Sequence, residues 1–193
     1  MSEMDYKTVL LMGLPGSGKG TQAKKLAERL GWMHFSTGDR FKELRDDAGP
    51  LGAKVKEAYD AGKYAPDWFA TYLFEHAVLN LPKETGIVCD GYPRTLPQAE
   101  IFDDTFGWLD RPYIALNLAV REDEALRRQI ERAKVENRTD SATTEQVQVR
   151  FEQYRNNTEP LLNYFREKGV LIEIDGEKTP DEVALEIAKA VGK

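Results

Sequence analysis

Five short apolar runs punctuate the chain, and between them apolar positions recur at helical spacing. The first run, Thr8-Val9-Leu10-Leu11-Met12, predicts a strand. It leads into a glycine-rich turn, Gly13-Leu14-Pro15-Gly16-Ser17-Gly18-Lys19-Gly20-Thr21, and a helical pattern follows from Thr21 to Leu30. Trp32-Met33-His34-Phe35 predicts a second strand, closing on Ser36-Thr37-Gly38-Asp39. Three amphipathic segments come next, at roughly 39–47, 51–61 and 67–80, broken at Gly49-Pro50 and between Gly62 and Pro66. Gly86-Ile87-Val88-Cys89-Asp90-Gly91 predicts a third strand that closes on an acid. Pro93 and Pro97 bracket a loop carrying Arg94, and a short helix is expected from Pro97. Tyr113 to Leu118 is strand four, and a charged helix runs from about Glu122 to Lys134. Val147, Phe151, Tyr154, Thr158, Leu161 and Phe165 mark one face of a long helix, expected to bend at Pro160. Gly169 ends it, Val170 to Ile174 is strand five, and 180–191 is the last helix.

Strands that are apolar on successive residues have both faces covered. Five of them separated by helices predict an α/β fold, a parallel sheet with helices on both faces. Ligands of such sheets sit at the carboxyl ends of the strands. The glycine loop, Asp39, Asp90, Arg94 and Lys178 all fall there.

Composition narrows the picture. At 193 residues the chain suits one domain with a sizeable core, and no repeat, low-complexity tract or linker divides it. A net charge of −6 argues against a nucleic-acid partner, so any phosphate site must be made by local positive charge. The single cysteine, Cys89, leaves no internal disulfide and no four-cysteine zinc knuckle, which fits a reducing compartment. The apolar runs are too short for a membrane span, and Met1-Ser2-Glu3-Met4-Asp5 is too acidic for a signal or transit peptide. A cytoplasmic protein without a membrane partner is expected.

Strand, glycine loop and helix form the context that a phosphate cradle requires. The glycines let several backbone N–H groups converge on one anion, the helix start adds its dipole, and Lys19 adds a mobile charge. The spacing satisfies G-x-x-x-x-G-K, although the next residue is Gly20 and the hydroxyl is displaced to Thr21. Asp90 ends an apolar strand, the place of a magnesium-associated carboxylate in a P-loop protein. Arg128 and Arg132 share a helix face, Arg138 lies just beyond, Arg150 is on the next helix and Arg94 is in a Gly-Tyr-Pro-Arg turn. Arg127, Arg155 and Arg166 read as a solvated face. Phosphoryl transfer needs positioning and charge stabilisation, not a nucleophilic side chain. No Ser-His-Asp or Cys-His set is present, and His34 and His76 both read as structural.

The loop Gly-x-Pro-Gly-Ser-Gly-Lys-Gly-Thr-Gln, then Ser36-Thr37-Gly38-Asp39, Asp90-Gly91-Tyr92-Pro93-Arg94 and Arg138-x-Asp140 resemble, in that order, the motifs of the adenylate kinases. The match runs from about Lys7 to the end and includes Thr158-Glu159-Pro160-Leu161; the hydroxyl at Thr21 is the family's own form. This resemblance implies a P-loop kinase fold in a single domain, 1–193, with a monophosphate-binding flap at 36–65 and a short lid at 132–142. It implies reversible ATP:AMP phosphotransfer by a monomer. Gly16, Ser17, Gly18, Lys19, Gly20 and Thr21 would hold the donor phosphates, with Arg128 and backbone near Lys178 flanking the donor adenine. Lys19, Arg94, Arg132, Arg138 and Arg150 would clamp the transferred phosphoryl. AMP would contact Thr37, Lys42, Lys63, Tyr64, Ala65, Gly91, Tyr92, Pro93 and Gln98 besides Arg94, Arg138 and Arg150. Asp39 and Asp90 would position Mg2+ mainly through its waters, and no structural zinc is expected. Thr37 and Gln98 favour AMP over the pyrimidine monophosphates of UMP/CMP kinases. A P-loop switch protein is the alternative from another class. Three departures stand out. Lys42 replaces a family arginine, Ser141 replaces a second aspartate, and Arg40 occupies a usually apolar position. Arg45 is better placed than Arg40 to assist Lys42.

Overall fold

β1 (Thr8–Met12) is the central strand of a five-stranded parallel sheet, with β2 (Met33–Ser36), β3 (Ile87–Asp90), β4 (Tyr113–Ala119) and β5 (Leu171–Asp175). The order across the sheet is β2-β3-β1-β4-β5. The computed structural model describes residues 6–61, 63–136 and 143–192. Nine helices appear among them: α1 (Lys19–Leu30), α2 (Thr37–Arg45), α3 (Pro50–Asp60), α4 (Asp67–Leu79), α5 (Leu96–Trp108), α6 (Glu122–Glu136), α7 (Thr144–Gln153), α8 (Glu159–Glu167) and α9 (Pro180–Ala190). The N-terminal segment Met1 to Asp5, Gly62, and the stretch with Arg138, Asp140 and Ser141, where a short lid is expected, lie outside the described residues.

Alternation along β1 explains why its sequence reads as apolar throughout. Leu10 and Met12 pack on one side with Phe74, Phe102, Phe106 and Phe165 from α4, α5 and α8. Val9 and Leu11 pack on the other with Ala23, Leu26, Val183 and Ile187 from α1 and α9. A third cluster, Leu14, Ala125, Val147, Phe151 and Tyr154, anchors the glycine loop to α6 and α7.

The structure departs from the sequence expectation at three places. β5 is an edge strand whose Ile172 and Glu173 are exposed, so the covering of the sheet thins there. Glu173 takes hydrogen bonds from Asn117 at 2.6 Å and Arg166 at 3.0 Å, a polar edge of the kind that discourages further pairing. α5 is a full 13-residue helix rather than a short one. The long helix does not simply bend at Pro160. It divides into α7, a π-helical turn over Tyr154–Thr158, and α8. Pro160 offers no N–H to the carbonyl of Asn156, and the turn ahead of it widens. No helix among the described residues is long and apolar enough to cross a membrane.

Candidate active site

Sheet topology sets the location. From β1 the chain moves to β2 and β3 on one side and then to β4 on the other, and the crevice opens at the carboxyl end of the central strands. A cavity of about 900 Å³ occupies it. Gly13 and Gly16 through Thr21 line its floor. Gly16 is at φ +98°, and a Cβ there would lie 2.4 Å from the carbonyl oxygen of Ala125, so the loop can lie on α6 only as glycine. α1 starts immediately after, with Gly18 as an N-cap that supplies no side chain to the first turn. The N–H groups of that turn are therefore available to an anion.

The cations converge on this floor. Lys19 is half-buried, and its ammonium donates to the carbonyl of Leu14 at 3.3 Å. Loss of hydration lowers its pKa from the ordinary lysine value to about 8; Asp90 opposes the shift, and Arg94, Arg150 and Arg132 add to it. Four cations thus share one field, a costly arrangement that a polyphosphate relieves. Because kcat/KM reports the free enzyme, kcat/KM for ATP is expected to fall as pH rises through about 8, where the lysine loses its proton. In the bound complex the phosphates raise that pKa, so kcat holds to higher pH. Steady-state rates between pH 6 and 10 check this, and a flat kcat/KM for ATP would contradict it.

Each cation is held by its surroundings. Arg94 donates from Nε to the carbonyl of Gly91 at 2.7 Å, and its guanidinium lies 4.9 Å from the centre of the Tyr64 ring. Arg150 donates to Oε1 of buried Gln129 at 2.9 Å. Arg128 bonds Glu124 at 2.7 Å and the carbonyl of Gly176 at 2.9 Å. Arg127 and then Arg128 hold the Glu124 carboxyl down at about 2. Lys178 lines the cavity, and its ammonium bonds Glu186.

Most expected acceptor-side residues also line the cavity: Lys42, Lys63, Tyr64, Ala65, Gly91, Pro93 and Arg94. Thr37, Tyr92 and Gln98 do not, each being at most 2% exposed. They brace the turn that does. Thr37 donates to the carbonyl of Gly91, and Tyr92 donates to Thr71 at 3.1 Å. Gln98 accepts from the Arg94 N–H at 2.8 Å and donates to Asp67 at 2.7 Å, which leaves one N–H and one lone pair of its amide. Arg45 is no helper to Lys42. It bonds Asp46 at 3.2 Å and lies over Tyr59, Arg40 bonds Glu43 at 3.0 Å, and neither lines the cavity.

Asp39 and Asp90 face the phosphate loop from two elements, Asp39 within 3.3 Å of Lys24 and Asp90 against Gly20. Two carboxylates on separate elements suit a cation that keeps water and phosphate oxygens, as magnesium does.

Gln129 and Asp67 were not legible as site residues. A glutamine four residues short of Ala133 on a helix carries no signal, and an aspartate at a helix start reads as dipole compensation. Glu124 could have been found, since it stands four residues before Arg128 on one helix.

A parallel sheet with a glycine loop at its switch point, facing a ring of arginines, defines a P-loop phosphotransferase. A family model for adenylate kinase matches residues 11–170. The adenylate kinase of Thermus thermophilus is 38% identical over 187 residues, 96% of this chain and 97% of that protein. That of Clavibacter michiganensis subsp. michiganensis is 38% identical over 184 residues, 95% of this chain and 92% of that protein. That of Porphyromonas gingivalis is 37% identical over 188 residues, 96% and 95% of the two chains. The chain belongs to the adenylate kinase family.

Proposed function

We propose that the chain transfers the γ-phosphoryl of ATP to AMP, reversibly, giving two ADP. The convergence of Lys19, Arg94, Arg132 and Arg150 on the mouth of the glycine loop carries this reading. The family relationship favours neither the pyrimidine kinase nor the switch protein. On this reading the loop from Gly16 to Thr21 seats the donor phosphates, and the arginines, with Arg138, draw charge from the transferred group. The attacking AMP phosphate oxygen is already deprotonated, so no protein base is required. Adenylate kinases use magnesium with ATP; Asp39 and Asp90 would hold it here through water, and it would offset the charge of the donor phosphates. In this reading residues 36–65 form the flap over AMP, and 132–142 form a short lid, five residues lying between Arg132 and Arg138. Closure of both would exclude the water that otherwise competes for the phosphoryl. Nucleotide substrates and the single cysteine support action in the cytoplasm.

The remaining N–H and lone pair of Gln98, with Thr37 beside it, favour adenine as the acceptor base once the Gly91 to Arg94 turn closes on AMP. A site that leaves a buried amide unpaired rejects the wrong base strongly. We expect kcat/KM for AMP to exceed that for CMP or UMP by at least about a hundredfold. A coupled ADP-formation assay across AMP, CMP, UMP and GMP tests this, and comparable values would overturn it.

Lys42 supplies charge without a fork. A guanidinium grips two phosphate oxygens at once, an ammonium only one. With Arg40 and Arg45 engaged elsewhere, Lys42→Arg is expected to lower KM for AMP about fivefold, about 1 kcal/mol, and to leave KM for ATP unchanged. Substrate titrations on both proteins check it; an unchanged or higher KM for AMP would place the AMP phosphate elsewhere.

A further inference from the structure

π-helical turns are rare and concentrate at functional sites. The one over Tyr154–Thr158 brings Thr158 to the lining of the candidate active site. Thr158, buried, donates from Oγ1 to the carbonyl oxygen of Arg94 at 2.9 Å. The same Oγ1 lies 3.1 Å from the hydroxyl of Tyr64. A threonine hydroxyl has one proton, and here a carbonyl takes it, so the Tyr64 hydroxyl must be the donor in the second bond. The chain of bonds has a fixed direction, from Tyr64 through Thr158 to Arg94. Linked hydrogen bonds polarise one another, and a partly buried chain of this kind rigidifies what it joins.

Tyr64 meets Arg94 a second time. Its ring lies under the Arg94 guanidinium, with 4.9 Å from the ring centre to the guanidinium carbon. The arginine is therefore fixed at its backbone by Thr158, at Nε by the carbonyl of Gly91, and at its face by Tyr64. We infer that Thr158 is a positioning residue for the reaction, setting Arg94 directly through its carbonyl and indirectly by orienting the Tyr64 ring. The inference rests on the role of Arg94 at the transferred phosphoryl given above. Its physical basis is that a displacement of about 1 Å at a reacting group can cost a hundredfold in rate. Arg94 on the β3–α5 loop, Tyr64 at the end of the segment 36–65, and the α7–α8 helix that carries Arg150 are joined at this one oxygen.

Thr158→Val keeps the branched shape and removes both hydrogen bonds. We expect kcat/KM for AMP to fall about ten- to hundredfold while KM for ATP changes less than about twofold. Thr158→Ser, which restores the hydroxyl, should recover the rate to within about threefold. Tyr64→Phe keeps the ring and should lose less than Tyr64→Leu, which loses both contacts. Arg94→Ala belongs in the same panel. If Arg94→Ala is impaired and Thr158→Val has wild-type AMP kinetics, the positioning role is overturned. A rise in KM for ATP as large as the loss in kcat/KM for AMP in Thr158→Val, or no recovery in Thr158→Ser, likewise overturns it in favour of a purely structural role. Wild-type activity in Arg94→Ala overturns the reading of Arg94 itself, and with it the role of Thr158.

Discussion

Lys19→Ala is expected to yield a folded protein whose kcat is lowered by about a hundred- to a thousandfold or more. Removing one preorganised charge-stabilising group from an active site costs about that much. In this site the lost group is a full cation at the floor of the cavity, among Arg94, Arg132 and Arg150. Folding should not suffer. A lysine whose pKa is depressed in the folded state to about 8 binds its proton less readily there than when unfolded. Wild-type stability therefore rises between about pH 8 and the ordinary lysine value, and below that window the desolvated charge is a burden the variant lacks. Thermal melts at pH 7 should place Lys19→Ala at or above wild type, with steady-state kinetics showing the loss. Near-normal turnover in a purified sample would remove Lys19 from the site.

Gly16→Ala is the second large effect, and it acts through one methyl group. The new Cβ would stand 2.4 Å from the Ala125 carbonyl oxygen, a backbone atom that cannot swing aside. The backbone is also at φ +98°, where an L side chain is strained. The loop must lift off α6, and the N–H groups that cradle phosphate move with it. A shift of about 1 Å would cost about a hundredfold in kcat/KM for ATP. Gly18→Ala separates strain from collision. Gly18 has φ +92°, but nothing lies within 4 Å of a Cβ built there, so its loss should be much smaller. Equal losses in the two variants would show that conformation alone, not contact with α6, sets the loop.

Patterns that depend on neighbours in sequence were legible. Val9, Leu10 and Leu11 declare a strand covered on both faces because each residue in turn meets one of two clusters. Gly16 to Thr21 declare a phosphate loop because the chemistry requires those residues in that order. Features that depend on packing across the fold were not. Nothing in the local sequence says that the carbonyl of Arg94 is held by Thr158, 64 residues away. Thr37 and Gln98 read as base contacts, and nothing in the local sequence says that both are also bonded to the Gly91 to Arg94 turn. The π-helical turn was hidden for a related reason. A proline announces that a helix must yield but not which bonds replace those it removes.

On this reading phosphoryl passes to AMP and not to water. Quantitative separation of nucleotides after mixing the protein with magnesium, ATP and AMP tests it most directly. Two ADP should form for each ATP and AMP consumed, with no inorganic phosphate and no ATP loss when AMP is omitted. ATP hydrolysis that proceeds without AMP, or AMP that remains unphosphorylated, would contradict it.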